Sequence, residues 1–140
     1  VITTHSAHIV KRLRFDSIRL ISALPNGCKT VSKVSPHDLP YPSLNEINFL
    51  AFEEVSEEFH NELYAHIEFS GWKEEYLNEK PTMTYIRKLP KGGTKTEQKC
   101  LTEYIRHQIH HPENTLNERY TQSQLSESIK MMRDFLITKK

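Results

Sequence analysis

The sequence is short of the residues typical of secreted or membrane-spanning proteins. Its two cysteines, Cys28 and Cys100, form neither a disulfide framework nor a CxxC metal motif, so we expect a reducing, cytoplasmic environment. No run approaches the roughly 20 apolar residues that a membrane span requires. The sequence does not open with a charged segment followed by an apolar one, which is the pattern typical of a signal peptide. Only four glycines in 140 residues favour long helices with few tight turns.

Charge of either sign is not in excess. Nineteen basic and eighteen acidic side chains give a formal net charge of +1, which excludes a strongly cationic coat for nucleic acid but allows a local basic patch. A chain with 36% hydrophobic, 26% charged and 9% aromatic residues is a polar globular chain with a modest core. Its length has room for one domain or for a small lobe of a larger protein.

The first forty residues alternate short β-type runs with turn signals. Pro25-Asn26-Gly27 is a strong hairpin signal, because Asn-Gly tolerates the positive φ values that such turns need. The segment is too small to bury its own faces and therefore resembles the edge of something larger. The predicted elements are strands at residues 1–4, 17–24 and 29–34, and a short helix at residues 7–13.

The chain changes character near residue 40. Ser43 and Glu46 have the spacing of a capping box, and apolar residues then recur every four positions, which predicts one helix ending near Gly71. A second capping box, Thr121 with Gln124, opens the last helix. The predicted elements are a short helix at 73–79, a strand at 84–89, a mobile loop at 90–96, and helices at 96–110 and 122–137.

We therefore predict an α+β fold that is mainly α. A β-rich leader at residues 1–40 is followed by a helical bundle at residues 43–140. Prolines stiffen the connector between them at Pro36, Pro40 and Pro42. In the last helix the predicted core positions are Leu125, Ile129, Met132, Phe135 and Leu136. Core or hinge packing, rather than base stacking, is predicted for Trp72, Tyr76 and Tyr85.

The leader contains a run of polar residues after its first β-type segment. Thr3-Thr4-His5-Ser6, followed by a short helix and a second strand, resembles the histidine-switch region of ABC-type ATPases. The most similar subset is that of the overcoming-lysogenization-defect and anticodon-nuclease-associated ATPases. The resemblance implies that His5 polarises the γ-phosphate and its attacking water in an intact ATPase.

The rest of an ATPase site is not found in the sequence. No GxxxxGK[ST] phosphate loop occurs in it, and the resemblance places the acidic Walker B pair just before Val1. We therefore expect no ATP hydrolysis and no cofactor for this chain alone, with ATP and Mg²⁺ bound only where an upstream ATPase core is present.

The most informative stretch is Arg106-His107-Gln108-Ile109-His110-His111, followed by Pro112. It resembles the motif of the HEPN family of all-helical ribonucleases: Arg, then Asn, Asp or His, three variable residues, and His. Arg106, His107 and His111 match the three motif positions. The resemblance covers roughly residues 43–138 and implies a site completed across a homodimer.

The residue types suit metal-independent cleavage of RNA. His111 can take a proton from a ribose 2′-hydroxyl or give one to the leaving oxygen, and Arg106 can bind the scissile phosphate. Five residues along a helix separate two side chains by about 140°, and Pro112 frees His111 from that geometry. Basic residues around Gly92-Gly93 are predicted to guide an RNA backbone, or simply to solubilise the loop: Arg87, Lys88, Lys91, Lys95 and Lys99.

Other interpretations of this stretch stay open. Glu103, His107 and His110 lie near one helical face and suggest a metal site, although no second ligand group supports one, and we predict no metal. A cluster of surface histidines, with Arg106 paired to Glu103 or Glu113, is the plainest interpretation. His60 and Glu62 would approach Arg106 if their helices packed antiparallel.

The combined hypothesis is a metal-independent, HEPN-like endoribonuclease attached to the end of an ABC-type ATPase in bacterial anti-phage defence, with RNA, and tRNA among the candidates, as substrate. The expected partners are a second copy of the chain and the missing ATPase core, and no membrane. The alternative is a non-catalytic helical docking or dimerisation module of a DNA- or partner-binding ATPase.

Overall fold

The computed structural model describes residues 1–10, 12–34, 38–41 and 43–140. Over these ranges the protein has a mixed α+β fold with two separate two-stranded antiparallel sheets. It divides into two compact units, Val1–Glu54 and Val55–Lys140. Within the described ranges, the helices are all too short or too polar to cross a membrane.

The first unit is built around one hairpin and one helix. Its elements are α1 (Ala7–Val10), a 3₁₀ turn (Phe15–Ser17), β1 (Arg19–Ala23), β2 (Lys29–Lys33) and α2 (Leu44–Phe52). The β1–β2 register runs from Arg19↔Lys33 to Ala23↔Lys29, and Gly27 has the positive φ of 81° that the predicted turn requires. A small apolar cluster is contributed by Val10, Ile18, Val34 and Ile47.

Two predictions for the leader are wrong in detail. Residues 1–6 form no strand, and Val1 and Ile2 are exposed, because no described strand of this unit lies beside them to pair with. The predicted helix at 7–13 is reduced to α1. Of the connector prolines, Pro36 and Pro42 lie outside the described residues. The domain boundary predicted between residues 40 and 43 stays a prediction, although α2 groups with the first unit.

The second unit packs three longer helices with a short helix and a hairpin. Its elements are α3 (Glu57–Phe69), α4 (Lys73–Leu77), β3 (Thr82–Lys88), β4 (Thr94–Cys100), α5 (Leu101–His110) and α6 (Gln122–Ile137). The N-terminal ends of α3 and α6 lie together, since Gln122 Nε2 donates to the Val55 carbonyl. Apolar residues of these helices are fully buried, among them Phe59, Leu63, Ile105, Ile129 and Met132.

The single helix predicted from Ser43 to Gly71 is wrong, because two helices occupy that stretch. Ser43 caps α2 as predicted, but α2 ends at Glu53, whose φ of 53° is left-handed. Ser56 then starts α3 by accepting a hydrogen bond from the Phe59 N–H, and Glu57 and Glu58 follow in the first turn. The apolar period continued through this break and therefore concealed it.

The start of the helix predicted at 96–110 is also wrong. Residues 94–100 form β4, which pairs with β3 from Thr82↔Cys100 to Lys88↔Thr94, and α5 begins only at Leu101. Gly92 and Gly93, both at positive φ, close the hairpin, and threonines on both strands favour extended backbone. The predicted strand at 84–89, the short helix near 73–79 and the helix at 122–137 are confirmed.

Candidate functional site

The predicted histidine, His111, lies at the C-terminal end of α5. His111 is the residue after the helix, with φ of −129° and its N–H bonded to the His107 carbonyl at 2.9 Å. Pro112 follows and prevents another helical turn. The His111 side chain is more than half exposed, so its imidazole is available to a ligand.

Glu113 orients the His111 ring. His111 Nδ1 lies 3.2 Å from Glu113 Oε1. A hydrogen bond from its own backbone N–H, followed by the proximity of His111 and Lys88, holds the pKa of the Glu113 carboxyl below its usual value. Because an ionised carboxylate only accepts, the neutral ring carries its hydrogen on Nδ1 and keeps a lone pair on Nε2. A histidine that acts as a general base through Nε2 needs this tautomer.

His107 lies behind His111 and packs against the hairpin. Its ring stacks on His111 with centroids 6.2 Å apart and leans on Tyr85 at 5.1 Å. Burial, with a smaller effect of Lys99, lowers the pKa of His107, so the ring is neutral at pH 7. His107 therefore supports the orientation of His111 rather than supplying a charge.

The loop after α5 is fixed to the edge of β3 by two asparagines. Asn114 Nδ2 donates to the Tyr85 hydroxyl and the Ile86 carbonyl at 2.9 Å, and Asn117 bonds both backbone groups of Ile86. On the opposite side, Gln108 Nε2 donates to the Glu118 carbonyl at 2.8 Å. The loop borders an open cavity of about 220 Å³. The side chains that line the cavity include Gln108, His111, Asn114, Thr115, Asn117 and Arg119.

Arg106 lies on another face of α5, toward α3. Its guanidinium stacks over Tyr64 at 4.3 Å, and its Nη2 lies 3.4 Å from Glu68 Oε2. Its Nη1 lies 3.3 Å from His110 Nε2, which must accept because a guanidinium has only donors. The structure therefore brings Arg106 to His110, whereas His111 contacts His107 and Glu113.

Buried polar side chains from four helices meet beneath Arg106. His60 Nε2 lies 3.0 Å from Ser128 Oγ, which donates to Thr102 Oγ1 at 2.8 Å, and Thr102 bonds the Tyr76 hydroxyl at 2.7 Å. Burial, followed by the proximity of Arg106 and His110, lowers the pKa of His60 to about 4. The approach of His60 to Arg106 that an antiparallel packing would give is thus present.

Most of the predicted basic surface lies on the β3–β4 hairpin and is partly neutralised. Glu97 lies within 4.0 Å of three cations, namely Arg87, Lys95 and Lys99. Lys88 is close enough to Glu113 to depress its pKa, and Lys91 is exposed in the turn. Lys88 is therefore the hairpin cation that the structure places near the His111–Glu113 pair.

Two further predictions concern the leader and a metal. His5 is exposed in the first unit, one residue before Ser6, whose N–H donates to Thr4 Oγ1 at 3.0 Å. Glu103 pairs with Lys99 rather than joining His107 and His110. Across the described ranges, no three His, Cys, Asp or Glu side chains lie close enough together to hold a metal ion.

Two residues of this region had no role in the sequence-based hypothesis. Arg119 lines the same cavity as His111, and Glu113 orients the imidazole. A carboxylate two residues after a candidate base is a usable sequence signal for the second. No family model, curated protein or solved structure matches the chain, so we infer function from the geometry of the site.

Proposed function

We propose that the chain is a metal-independent endoribonuclease of the HEPN type, attached to the end of an ABC-type ATPase in bacterial anti-phage defence. The observation that carries the proposal is the His111–Glu113 pair beside a cavity at the end of α5. An imidazole fixed by a carboxylate at Nδ1 presents its Nε2 to a substrate, the arrangement that acid–base catalysis requires.

The reaction needs only the substrate's own nucleophile. His111 Nε2 takes the proton of the ribose 2′-hydroxyl, the 2′-oxygen bonds to phosphorus, and the bond from phosphorus to the 5′-oxygen breaks. The leaving 5′-oxygen takes a proton from the solvent, and the His111 imidazolium releases its own proton to the solvent afterwards. The products are a 2′,3′-cyclic phosphate and a 5′-hydroxyl, and no metal takes part.

Arg106 enters this scheme through a second copy of the chain. In one chain it contacts Tyr64, Glu68 and His110 and not His111. A homodimer, which the HEPN resemblance implies, would bring the Arg106 of one copy to the His111 of the other. There its planar fork would bind the phosphate and stabilise the charge that develops in the transition state.

The test compares two adjacent histidines. His111→Ala is expected to lower the cleavage rate of single-stranded RNA by about 10²- to 10⁴-fold, the usual contribution of a positioned acid or base. The matched variant His110→Ala removes the neighbouring imidazole and is expected to retain most activity. The assay contains EDTA, uses mixed RNA oligonucleotides and total tRNA, and identifies the cyclic phosphate by mass spectrometry.

The same assay has outcomes that contradict the proposal. Activity lost in His110→Ala but kept in His111→Ala would assign the base to the Arg106 face of α5. Activity that requires added zinc would overturn the metal-independent mechanism.

A second candidate function is a helical docking module. The observation in its favour is that Phe69 at the end of α3 is 94% exposed and Ile137 at the end of α6 is 57% exposed. Under that function both histidine variants and the wild type would leave RNA intact.

A further inference from the structure

Arg119 shares with His111 the cavity at the end of α5, and it belongs to no motif of the sequence. The loop that carries it is fixed to β3 by Asn114 and Asn117, so its position does not depend on a ligand. The lining amides are already used: Asn117 bonds the backbone of Ile86, and Gln108 bonds Glu118 and the Tyr120 N–H. Arg119 and His111 are thus the basic groups at the cavity with hydrogen-bonding capacity to offer.

The Arg119 guanidinium is fixed by hydrogen bonds but keeps N–H donors that are not used in them. Nη1 donates to the Gln108 carbonyl at 3.3 Å, and Nη2 donates to Glu57 Oε1 at 2.9 Å and to the Tyr120 hydroxyl at 3.0 Å. The group also stacks over the Tyr120 ring at 4.4 Å. A guanidinium has five N–H donors, so two remain, and the side chain is 55% exposed. This is a preorganised cation with free donors at the rim of a cavity.

We propose that Arg119 binds, within one chain, the RNA phosphate whose neighbouring ribose 2′-hydroxyl is deprotonated by His111. The inference rests on the proposed function and adds its phosphate-binding residue in cis. Two carboxylates, Glu57 and Glu113, lie beside the two groups and neutralise part of their charge, whereas Lys88 adds positive charge near Glu113. An arginine suits the site because its two remaining N–H groups, one on Nη1 and one on Nε, can each make a charge-assisted hydrogen bond to a phosphate oxygen.

The test separates binding from cleavage. The ligand is a fluorescent RNA oligonucleotide with 2′-O-methyl sugars, which has the phosphates but lacks the attacking hydroxyl. Arg119→Ala is expected to weaken its binding by about 10- to 100-fold, as expected for losing a hydrogen bond to a charged group. Cleavage of the matching unmodified RNA should fall at least as much. Lys130→Ala, which removes one exposed charge from α6, is expected to change neither RNA binding nor RNA cleavage by more than about twofold.

A structural role of Arg119 is tested by its partner. Glu57→Gln breaks the same ion pair but leaves the guanidinium in place, so RNA binding should be unchanged or tighter. If Glu57→Gln weakens binding as much as Arg119→Ala does, or if Arg119→Ala binds like the wild type, the proposal is overturned. Absence of RNA binding by the wild type overturns it as well. If His111→Ala still cleaves RNA while Arg119→Ala loses binding, the assignment of His111 as the general base is wrong. The assignment of Arg119 as the phosphate-binding residue is then kept.

Discussion

At the scale of single residues, the fold strongly constrains the protonation state of His60. It is fully buried, its Nε2 bonds Ser128, and its Nδ1 has no hydrogen-bond partner among the residues that the structure describes. Arg106 and His110 from α5 lie nearby and oppose a positive charge on the ring. The folded protein therefore holds His60 neutral at pH 7.

This constraint predicts an acid-labile fold. The folded pKa of about 4 lies below the ordinary value of 6.5, so the unfolded chain binds the proton first and stability falls as pH drops from 6.5 to 4. The loss amounts to about 3 kcal/mol between pH 7 and pH 4. His60→Gln, which keeps a donor for Ser128 but does not titrate, should remove that part of the pH dependence.

The measurement is urea unfolding followed by the fluorescence of Trp72, the single tryptophan, which lies in the second unit. His111→Gln removes an exposed imidazole and serves as the control, with a pH profile like that of the wild type. Equal profiles for the wild type and His60→Gln would contradict the assigned cause.

At this scale the sequence predicts the element on which a residue lies better than the direction of its side chain. The spacing of Arg106, His107 and His111 places all three on α5 or at its end, and that is confirmed. Their directions depend on which helix face packs against α3 and which against the hairpin, and the sequence does not encode that locally. Arg119 contacts Glu57, far away along the chain, so its position in the cavity depends on tertiary structure.

At the scale of elements, α6 is the helix that its local sequence specifies most completely. Thr121 Oγ1 accepts from the Gln124 N–H at 3.2 Å, and Gln124 Oε1 accepts from the Thr121 N–H at 2.8 Å. Both halves of the capping box are therefore formed. Of the five predicted core positions, Leu125, Ile129, Met132 and Leu136 are buried, whereas Phe135 is half-buried.

Loss of this cap has a predictable cost. Thr121→Ala should lower the free energy of unfolding by about 1 kcal/mol, because the Gln124 N–H loses its partner at the helix start. Ser123→Ala, at an exposed position of the same first turn, should change it by less than about 0.5 kcal/mol. Urea unfolding at pH 7 measures both, and an equal effect of the two variants would argue against the capping role.

The elements that sequence patterns missed are those where two signals disagreed. An apolar period of four continued across residues 53–56, although Ser56 with Glu57 and Glu58 marks a new helix start. Likewise, residues 96–100 fit an extension of α5, but pairing with β3 gives the backbone groups on one edge of β4 their partners. Helix capping decided the first case. Strand pairing decided the second, where local propensity alone is too weak to do so.

The β3–β4 hairpin yields a prediction about RNA affinity. The double variant Lys88→Ala with Lys91→Ala should weaken RNA binding and reduce the slope of log affinity against log salt by about 0.7 for each phosphate that is no longer neutralised. Lys29→Ala with Lys33→Ala removes two lysines from the β1–β2 hairpin instead and should leave the slope unchanged. Titration of RNA between low and physiological salt measures the slopes. Equal slopes for both double variants would contradict a role of the β3–β4 hairpin.

At the scale of the whole molecule, Arg106 and His111 lie apart and have different partners within one chain. Arg106 is occupied by Tyr64, Glu68 and His110, whereas His111 and Arg119 line a separate cavity. Two such half-sites in a symmetric dimer would each combine Arg106 of one copy with His111 of the other. The proposed mechanism therefore depends on the homodimer that the sequence led us to expect.

A shared site predicts that two inactive variants restore each other. Arg106→Ala and His111→Ala should each be inactive alone, but a mixed dimer has one site with both residues intact. An equimolar mixture that exchanges freely should recover about a quarter of wild-type activity, since half of the dimers are mixed and half of their sites are complete. The readout is cleavage of RNA in EDTA after co-refolding, with light scattering to establish the dimer. Inactive mixtures of well-folded dimers would place Arg106 and His111 in the same chain's site, or Arg106 outside the chemistry altogether.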